Sequence, residues 1–378
     1  MGRRVFLDNA STTPMHQEII DMMSDMMRSN FANPSSVHSS GREAKVIIEN
    51  ARKTIADLLN TSPGSIFFTS GGTEADNMAI RSTIQDYDIQ HVITSKIAHH
   101  AVLYPLQDLE NKNIIKITYV DIDNDGVISL SHLKDILKNN LRTFVSIMHA
   151  NNEIGTIQDI KKIGEICNDY NAIFHSDTVQ TIGHYPFNMQ DLNVHFMAAS
   201  AHKFHGPKGI GFIYISDKIK ISPLLRGGGQ ERNMRAGTEN VCSIAGLAMA
   251  MQISYKNLEE ETNYIKGLKK YMIKRLQNEL NDVQFYAKCT DLENSLYTVL
   301  SCHFPETDIS EMLIFNLDIL GISCSGGSAC NSGVSKGSHV LKEVFPDSKR
   351  PGIRFSFSKY NTKEDIDFTI ESLKKLFR

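Results

Sequence analysis

Tryptophan is absent from the 378 residues, and cysteine occurs only six times. The first absence means only that intrinsic fluorescence is weak. Six cysteines are too sparse for a disulfide framework and read as reduced intracellular thiols. Neither sign of charge dominates: 40 basic residues face 43 acidic ones, for a formal net charge of -3. That balance gives no reason to expect direct nucleic-acid binding or an anionic membrane as partner. No apolar run approaches the roughly 20 residues of a membrane span. Arg3 and Arg4 are followed by only three apolar residues, so no signal-peptide core is present, and Phe6 stands where a myristoylation signal needs Ser or Thr. The expected compartment is therefore the cytoplasm. No internal repeat, low-complexity stretch or charge run occurs. The remaining composition, 41% hydrophobic and 22% charged, excludes a disordered tail, a collagen-like fibre and a small disulfide scaffold. The length corresponds to roughly two or three domains.

What is present is an alternation of two periods. Short β-rich runs occur at 66–69, 91–95, 114–120, 143–148, 172–175, 194–199 and 210–215. Segments of helical length lie between most of them, clearest at 74–85, 130–138 and 159–170. This pattern predicts an α/β fold with a mostly parallel sheet covered on both faces, and ligands at the carboxyl ends of its strands. The strongest amphipathic helix is predicted over 42–59, where Ala44, Ile47, Ile48, Ala51, Ile55, Leu58 and Leu59 form one stripe. Residues 240–280 read as long helical structure crossing between domains. Strands at 295–301 and 352–356 and helices at 309–317 and 363–377 predict a second, smaller α/β domain.

Several motifs carry chemistry. Ser70-Gly71-Gly72-Thr73-Glu74 follows a strand and opens a helix. It can cradle a phosphate on backbone N–H groups, or be a tight turn with Thr73 as helix N-cap. No Gly-Lys-Ser/Thr follows, which disfavours nucleoside triphosphates. Asp177 lies just past a predicted strand, as a ligand group or a helix cap, with Gln180 three residues on. Lys203, in Ser200-Ala-His202-Lys203, is either a surface lysine or a Schiff-base lysine of lowered pKa. One chain thus supplies a phosphate cradle, an acid able to pair with a pyridinium nitrogen and an imine lysine, which together are what pyridoxal phosphate requires.

Residues 321–338 read GISCSGGSACNSGVSKGS, a Gly/Ser-rich loop around Cys330. A loop thiol fits a mobile nucleophile or accidental exposure. Cys324 is nearby but forms no CxxC motif; the other four cysteines read as packed or incidental. Arg354, between apolar neighbours in a predicted strand, is either a carboxylate clamp or an ordinary edge-strand arginine. Residues 121–126, IDND-like with His132 rather than Glu at the twelfth position, read as a turn and not a calcium loop. His202 and His205 lack the companions of a metal site, so no intrinsic metal is expected.

At this point the sequence resembles the cysteine desulfurases, the NifS/IscS-like branch of the class V aminotransferase group. The matching segments are LDNASTTP, NPSSVHSSGREA, FTSGGTEADN, SKIAHHAVL, SIMHANNEIG, HSDTVQ, SAHKFHGPKGIG, RGGGQERNMRAGTENV, GGSACNSG and IRFSFSKYNTKEDID, in family order over essentially the whole chain. The resemblance implies a fold-type I pyridoxal 5'-phosphate enzyme, usually a homodimer, that converts L-cysteine to L-alanine. It implies a large cofactor-binding domain over 15–260 and a small domain from 1–14 and 261–378 that carries the catalytic cysteine loop, about 321–338. Lys203 would hold the cofactor as an imine, Asp177 would face the ring nitrogen, and Gln180 and Asn152 the ring oxygen side. His99 would stack on the ring and transfer protons. Gly72, Thr73, Ser200 and His202 would hold the phosphate, and Thr238 would reach the phosphate of the partner subunit. Arg354, with Asn152, would bind the substrate carboxylate. Cys330 would accept the sulfur as a persulfide, with at most a transient iron–sulfur contact.

The implied partners are L-cysteine and a sulfur-acceptor protein, an iron–sulfur scaffold or a tRNA-thiolation protein. The chain departs from the pattern at Ala98, where relatives often carry Glu, and at Ser176 and Thr178, either hydroxyl of which could hydrogen-bond Asp177. The sequence ends at Arg378, where IscS-type relatives often continue with a tail that docks an iron–sulfur scaffold, so that particular partner is the less expected one. Two other readings stand beside this one. A selenocysteine lyase or other class V lyase would need no loop thiol, and a non-catalytic sulfur carrier would need no intact Lys203, Asp177 and His99.

Overall fold

The computed structural model describes residues 3–140, 142–326, 337–348 and 350–377. Cys330 lies outside the described residues. The strands are β1 (Val5–Phe6), β2 (Ile66–Thr69), β3 (His91–Thr94), β4 (Lys116–Tyr119), β5 (Thr143–Ser146), β6 (Ile173–Asp177), β7 (Phe196–Ser200), β8 (Gly211–Ile215), β9 (Gln284–Phe285), β10 (Val299–His303), β11 (Ile322–Ser323), β12 (Ser325–Gly326) and β13 (Gly352–Ser356). The main helices are α1 (Gln17–Ser29), α2 (Ser39–Leu58), α3 (Gly72–Asp86), α4 (His100–Asn111), α5 (Leu130–Lys138), α6 (Ile160–Asp169), α7 (Val241–Lys256), α8 (Leu258–Glu279), α9 (Leu313–Ile319), α10 (His339–Val344) and α11 (Lys363–Leu376).

Seven strands form one sheet in the order β2-β8-β7-β6-β5-β3-β4. All neighbours pair in parallel except β8, which runs against both β7 and β2. Alternate side chains enter opposite cores, as strand pleating requires. Val145, Met197, Ala199 and Phe212 join the core beneath α2 and α7. Phe144, Phe196, Ala198 and Ile213 join the core beneath α3 and α4. The sheet is thus mixed but mostly parallel and covered on both faces, as the alternating pattern predicts. A second sheet, β12-β13-β10-β9, packs with α8 and α11 around a third core. The N-terminus belongs to that side: β1 pairs in parallel with β11, and Asp8 bridges to Ser356.

Local differences from the sequence expectations have physical reasons. The 240–280 helix breaks at Asn257, and α8 restarts there with Glu259, Glu260 and Glu261 in its first turn, where the helix dipole favours acids. The strand expected at 295–301 begins instead at Val299, because the preceding residues are pinned elsewhere. Lys269, fully buried on α8, donates to Ser295 Oγ at 2.9 Å and Leu296 O at 3.0 Å. Helix α4 contains Pro105, a residue that argues against a helix interior in any local reading. Part of the expected 321–338 loop is β11 and β12, which find partners in β1 and β13. The 121–126 turn is as expected: Asp123 Oδ1 accepts from the N–H groups of Asp125 and Val127, both at 2.9 Å. Among the described residues no helix is long and apolar enough to cross a membrane.

Candidate active site

The carboxyl ends of β2, β5, β6 and β7 meet at a cavity of about 570 Å³. Its wall includes Gly72, Thr73, His99, Asn152, Asp177, Gln180, Ser200, His202 and Lys203. These groups come from five separate strand-to-helix connections, so the parallel topology is what assembles them. That volume is in the ordinary range for a small-molecule site.

The phosphate-cradle candidate sits where β2 turns into α3. The N-cap is Gly71, not Thr73, which lies inside the first turn. Gly71 has φ +152°, a conformation L side chains rarely adopt, so glycine takes the cap. A Cβ on Gly72 would overlap Val179, so the helix start approaches β6 only with glycine there. The first N–H groups of a helix have no intrahelical acceptor, and the dipole adds positive potential. Glu74 is engaged elsewhere: it accepts from Ser70 N–H at 2.8 Å and holds a two-pronged ion pair with Arg235.

Lys203 follows β7 in a short 3-10 turn. Its ammonium donates to the carbonyls of Ala10 at 2.6 Å and Ser11 at 2.9 Å, on an N-terminal strap across the cavity. Burial, aided by the nearby Arg354 charge and opposed by Asp177 and Asp8, lowers its pKa to about 8. Lys203 is therefore not the surface lysine of the alternative reading. The same strap engages Gln180, whose Nε2 donates to Ala10 O at 3.1 Å, and His202, whose Nδ1 is 3.1 Å from Thr12 Oγ1. Burial lowers the His202 pKa to about 4, with Lys203 and Lys208 adding to the shift, so its ring is neutral at pH 7.

Asp177 is the last residue of β6 rather than a residue beyond it. Its Oδ1 accepts from Val179 N–H at 3.0 Å. Neither flanking hydroxyl bonds to it: Thr178 Oγ1 donates to Ala198 O, and Ser176 Oγ has no partner among the described residues. Adjacent residues on a strand point to opposite faces, which is why those hydroxyls miss the acid. His99 caps α4, and its Nδ1 accepts from Ala101 N–H at 3.1 Å. That bond puts the imidazole proton on Nε2.

Arg354 lines a second cavity, of about 360 Å³, that shares Ser11 and Asn152 with the first. It lies on β13, between β12 and β10, so it is not an edge-strand residue. Nη1 donates to Asn152 O at 2.9 Å, and Nη2 to Asp8 Oδ1 and Ser11 Oγ, both at 2.7 Å. Its Nε is buried and has no hydrogen-bond partner among the described residues. Gly326 and Gly337, the described residues on either side of 327–336, both line this cavity.

Thr238 does not line the cavity of its own chain. It is exposed on the connection before α7, which Arg52 and Glu231 anchor by a buried two-pronged ion pair, both contacts at 2.8 Å. Cys324 is a poor nucleophile: burial pushes its thiol up to about 12. Sequence reasoning assigned no role to Asp8, Ser11 and Thr12, although the LDNASTTP segment containing them was visible. It gave no sign of Asp76, an acid one helical turn after Gly72 on the buried side of α3.

The residues present fit pyridoxal phosphate: a desolvated amine, an anchored acid in the same cavity and a glycine cradle at a helix start. The chain belongs to the aminotransferase class-V family, whose model matches residues 5–368. It is 40% identical to the cysteine desulfurase IscS of Dictyoglomus turgidum, over 100% of this chain and 95% of that protein. It is also 40% identical to the putative cysteine desulfurase IscS 1 of Bacillus subtilis, over 96% of each. Among solved structures it is similar to a NifS-like protein, with TM-score 0.91 and 36% identity over 99% of both chains. A structure of SspA in complex with cysteine matches with TM-score 0.80 and 29% identity, over 95% of this chain and 100% of that one.

Proposed function

We infer that this protein is a pyridoxal-phosphate-dependent cysteine desulfurase, which converts L-cysteine to L-alanine and retains the sulfur on Cys330 as a persulfide. The observation that carries the reading is the shared cavity of Lys203, Asp177 and the α3 N-terminus, joined through Ser11 and Asn152 to the Arg354 cavity. The cofactor, when bound, supplies an electron sink for the charge that develops at the substrate Cα. The α3 N-terminus, Ser200 and His202 would hold its phosphate, and Asp177 would supply the acid for its ring nitrogen. Arg354 holds the substrate carboxylate through its fork and fixes which Cα bond faces Lys203. Lys203 Nζ, neutral above about pH 8, takes the Cα proton. His99, held by its Nδ1 bond, moves a proton at Nε2. The Cys330 thiolate takes the sulfur, a role a thiol of pKa near ~8.5 performs only with local help.

The reading extends to a large domain over 15–260 and a small domain of 1–14 and 261–378. It also includes a cytoplasmic homodimer in which Thr238 serves the partner's phosphate. The acceptor is an iron–sulfur scaffold or tRNA-thiolation protein. Intact-mass and peptide mass spectrometry after exposure to L-cysteine tests the assignment. A 32-Da-type sulfur adduct on Cys330 is expected; an adduct confined to another cysteine overturns the role of Cys330.

A pH dependence follows from the Lys203 environment. Its lowered pKa makes the free amine the major form above about 8 and the ammonium the major form below. Capture of pyridoxal phosphate by the apo-protein is therefore expected to accelerate as pH rises through about 8 and then level off. Stopped-flow absorbance measures this. Continued acceleration toward the ordinary lysine value of ~10.4 would show that Lys203 is not desolvated.

A further inference from the structure

Behind Asp177, on the same wall, lies a second carboxyl group that the roles above do not use. Asp76 is 1% exposed and lines the cavity from α3. Among the described residues its Oδ1 has no hydrogen-bond partner. The facing atom is Nε2 of His175, 3.2 Å away, and that nitrogen is also without a well-directed bond. His175 is fully buried on β6, two residues before Asp177 and therefore on the same face of the strand. Its Nδ1 lies 2.9 Å from Ser146 Oγ on β5. The ionisable groups that share the cavity with Asp76 are Glu74 on α3, His99 at the head of α4, Asp177 on β6, and His202, Lys203 and Lys208 after β7.

Two neighbouring carboxyls in a buried wall do not both ionise. Asp177 is the one with an N–H donor on its oxygen, from Val179, and with the Lys203 ammonium as a counter-charge. Asp76 has neither at Oδ1. Burial, reinforced by the charge of Asp177, pushes the Asp76 carboxyl well above the usual carboxylate range. Burial lowers the His175 pKa to about 3, so the imidazole is neutral.

We propose that Asp76 and His175 form a neutral acid–imidazole pair, so that no second buried charge stands beside Asp177. They are positioning residues for the ring nitrogen of the cofactor, and to that extent the proposal rests on the functional reading above. The Asp76 O–H is shared with His175 Nε2, and the His175 Nδ1–H points to Ser146 Oγ. No net proton leaves the pair. Asp177 then meets the ring nitrogen with its charge undivided. An ionised Asp76 would instead drive a proton onto one of the two acids and weaken that contact.

The test combines apo- and holo-protein. Infrared spectroscopy of the apo-protein at neutral pH is expected to show the carbonyl band of a buried protonated carboxylic acid, lost in Asp76→Asn. In the holo-protein, Asp76→Asn, itself neutral and able to donate to His175, is expected to keep the wild-type pH midpoint of the cofactor's visible absorption. Asp76→Ala is expected to weaken cofactor binding by about tenfold, the cost of leaving a buried nitrogen unpaired. A missing infrared band, a band that survives in Asp76→Asn, or a midpoint displaced by that substitution overturns the proposal. Wild-type cofactor affinity in Asp76→Ala overturns the positioning role. The band and the Asn variant decide even where Asp76→Ala does not fold. A wild-type protein that never acquires the visible absorption overturns the functional reading instead, because the apo-protein band reads Asp76 without the cofactor.

Discussion

Replacing Lys203 by alanine is expected to abolish the visible absorption of lysine-bound pyridoxal phosphate. It is also expected to lower turnover of L-cysteine by about 10⁴-fold, the upper range for losing a positioned acid–base group. The substitution removes two functions at once, the covalent hold on the cofactor and the amine that takes the Cα proton. Both depend on the buried position that lowers the Lys203 pKa to about 8. The fold should survive. Among the described residues the Lys203 ammonium bonds two strap carbonyls, Ala10 O and Ser11 O, and an ammonium leaving a buried site takes its desolvation cost with it. A thermal midpoint close to wild type, with cofactor absorption gone, separates loss of chemistry from loss of structure. Partial rescue by a small primary amine would place the missing group in the vacated space. Retention of the absorption and of turnover would refute the assignment of Lys203.

Arg354→Ala is expected to lower kcat/KM for L-cysteine by about 10²–10³-fold, with most of the change in KM. Truncating one partner of a buried, hydrogen-bonded charge pair typically costs about 2–5 kcal/mol, roughly 30- to 4,000-fold, and the expected loss lies inside that span. The guanidinium joins Asp8 Oδ1, Ser11 Oγ and Asn152 O at the wall of the second cavity. Arg354→Lys restores the charge without the planar fork and should recover only part of the loss. Steady-state kinetics with L-cysteine decides. A fall in kcat at unchanged KM would mean that Arg354 does not bind the ground-state carboxylate. Asp8 is partly exposed, so the stability cost of leaving it unpaired is smaller than for a fully buried acid.

Much of this site was legible because strand ends and helix starts are local in sequence. The run 66–74 contains both the strand and the glycines that its turn demands, so Gly72 and Thr73 could be placed at a helix start before any contact was known. Asp177, Ser200 and Lys203 were legible for the same reason: each sits within a few residues of the end of an apolar strand. The identity of the cap was not legible. Thr73 has the better capping side chain in general, but the backbone at Gly71 adopts φ +152°, which favours glycine over a residue with a side chain.

Composition, period and turn chemistry by themselves determined the alternating strands and helices, the carboxyl-end location of the chemistry, and the stripe that seats α2 on the sheet. Those properties depend on neighbours within a few residues. Only the tertiary structure decided which distant groups share one pocket: that Asp8 pairs with Arg354, that the Ala10–Ser11 carbonyls hold Lys203, and that Asp76 faces His175. It also decided that Cys324 is a partly buried thiol whose pKa desolvation pushes up to about 12. Burial sets the protonation of Lys203, Asp76 and His175, and burial is a property of the whole packed chain that no local sequence pattern contains.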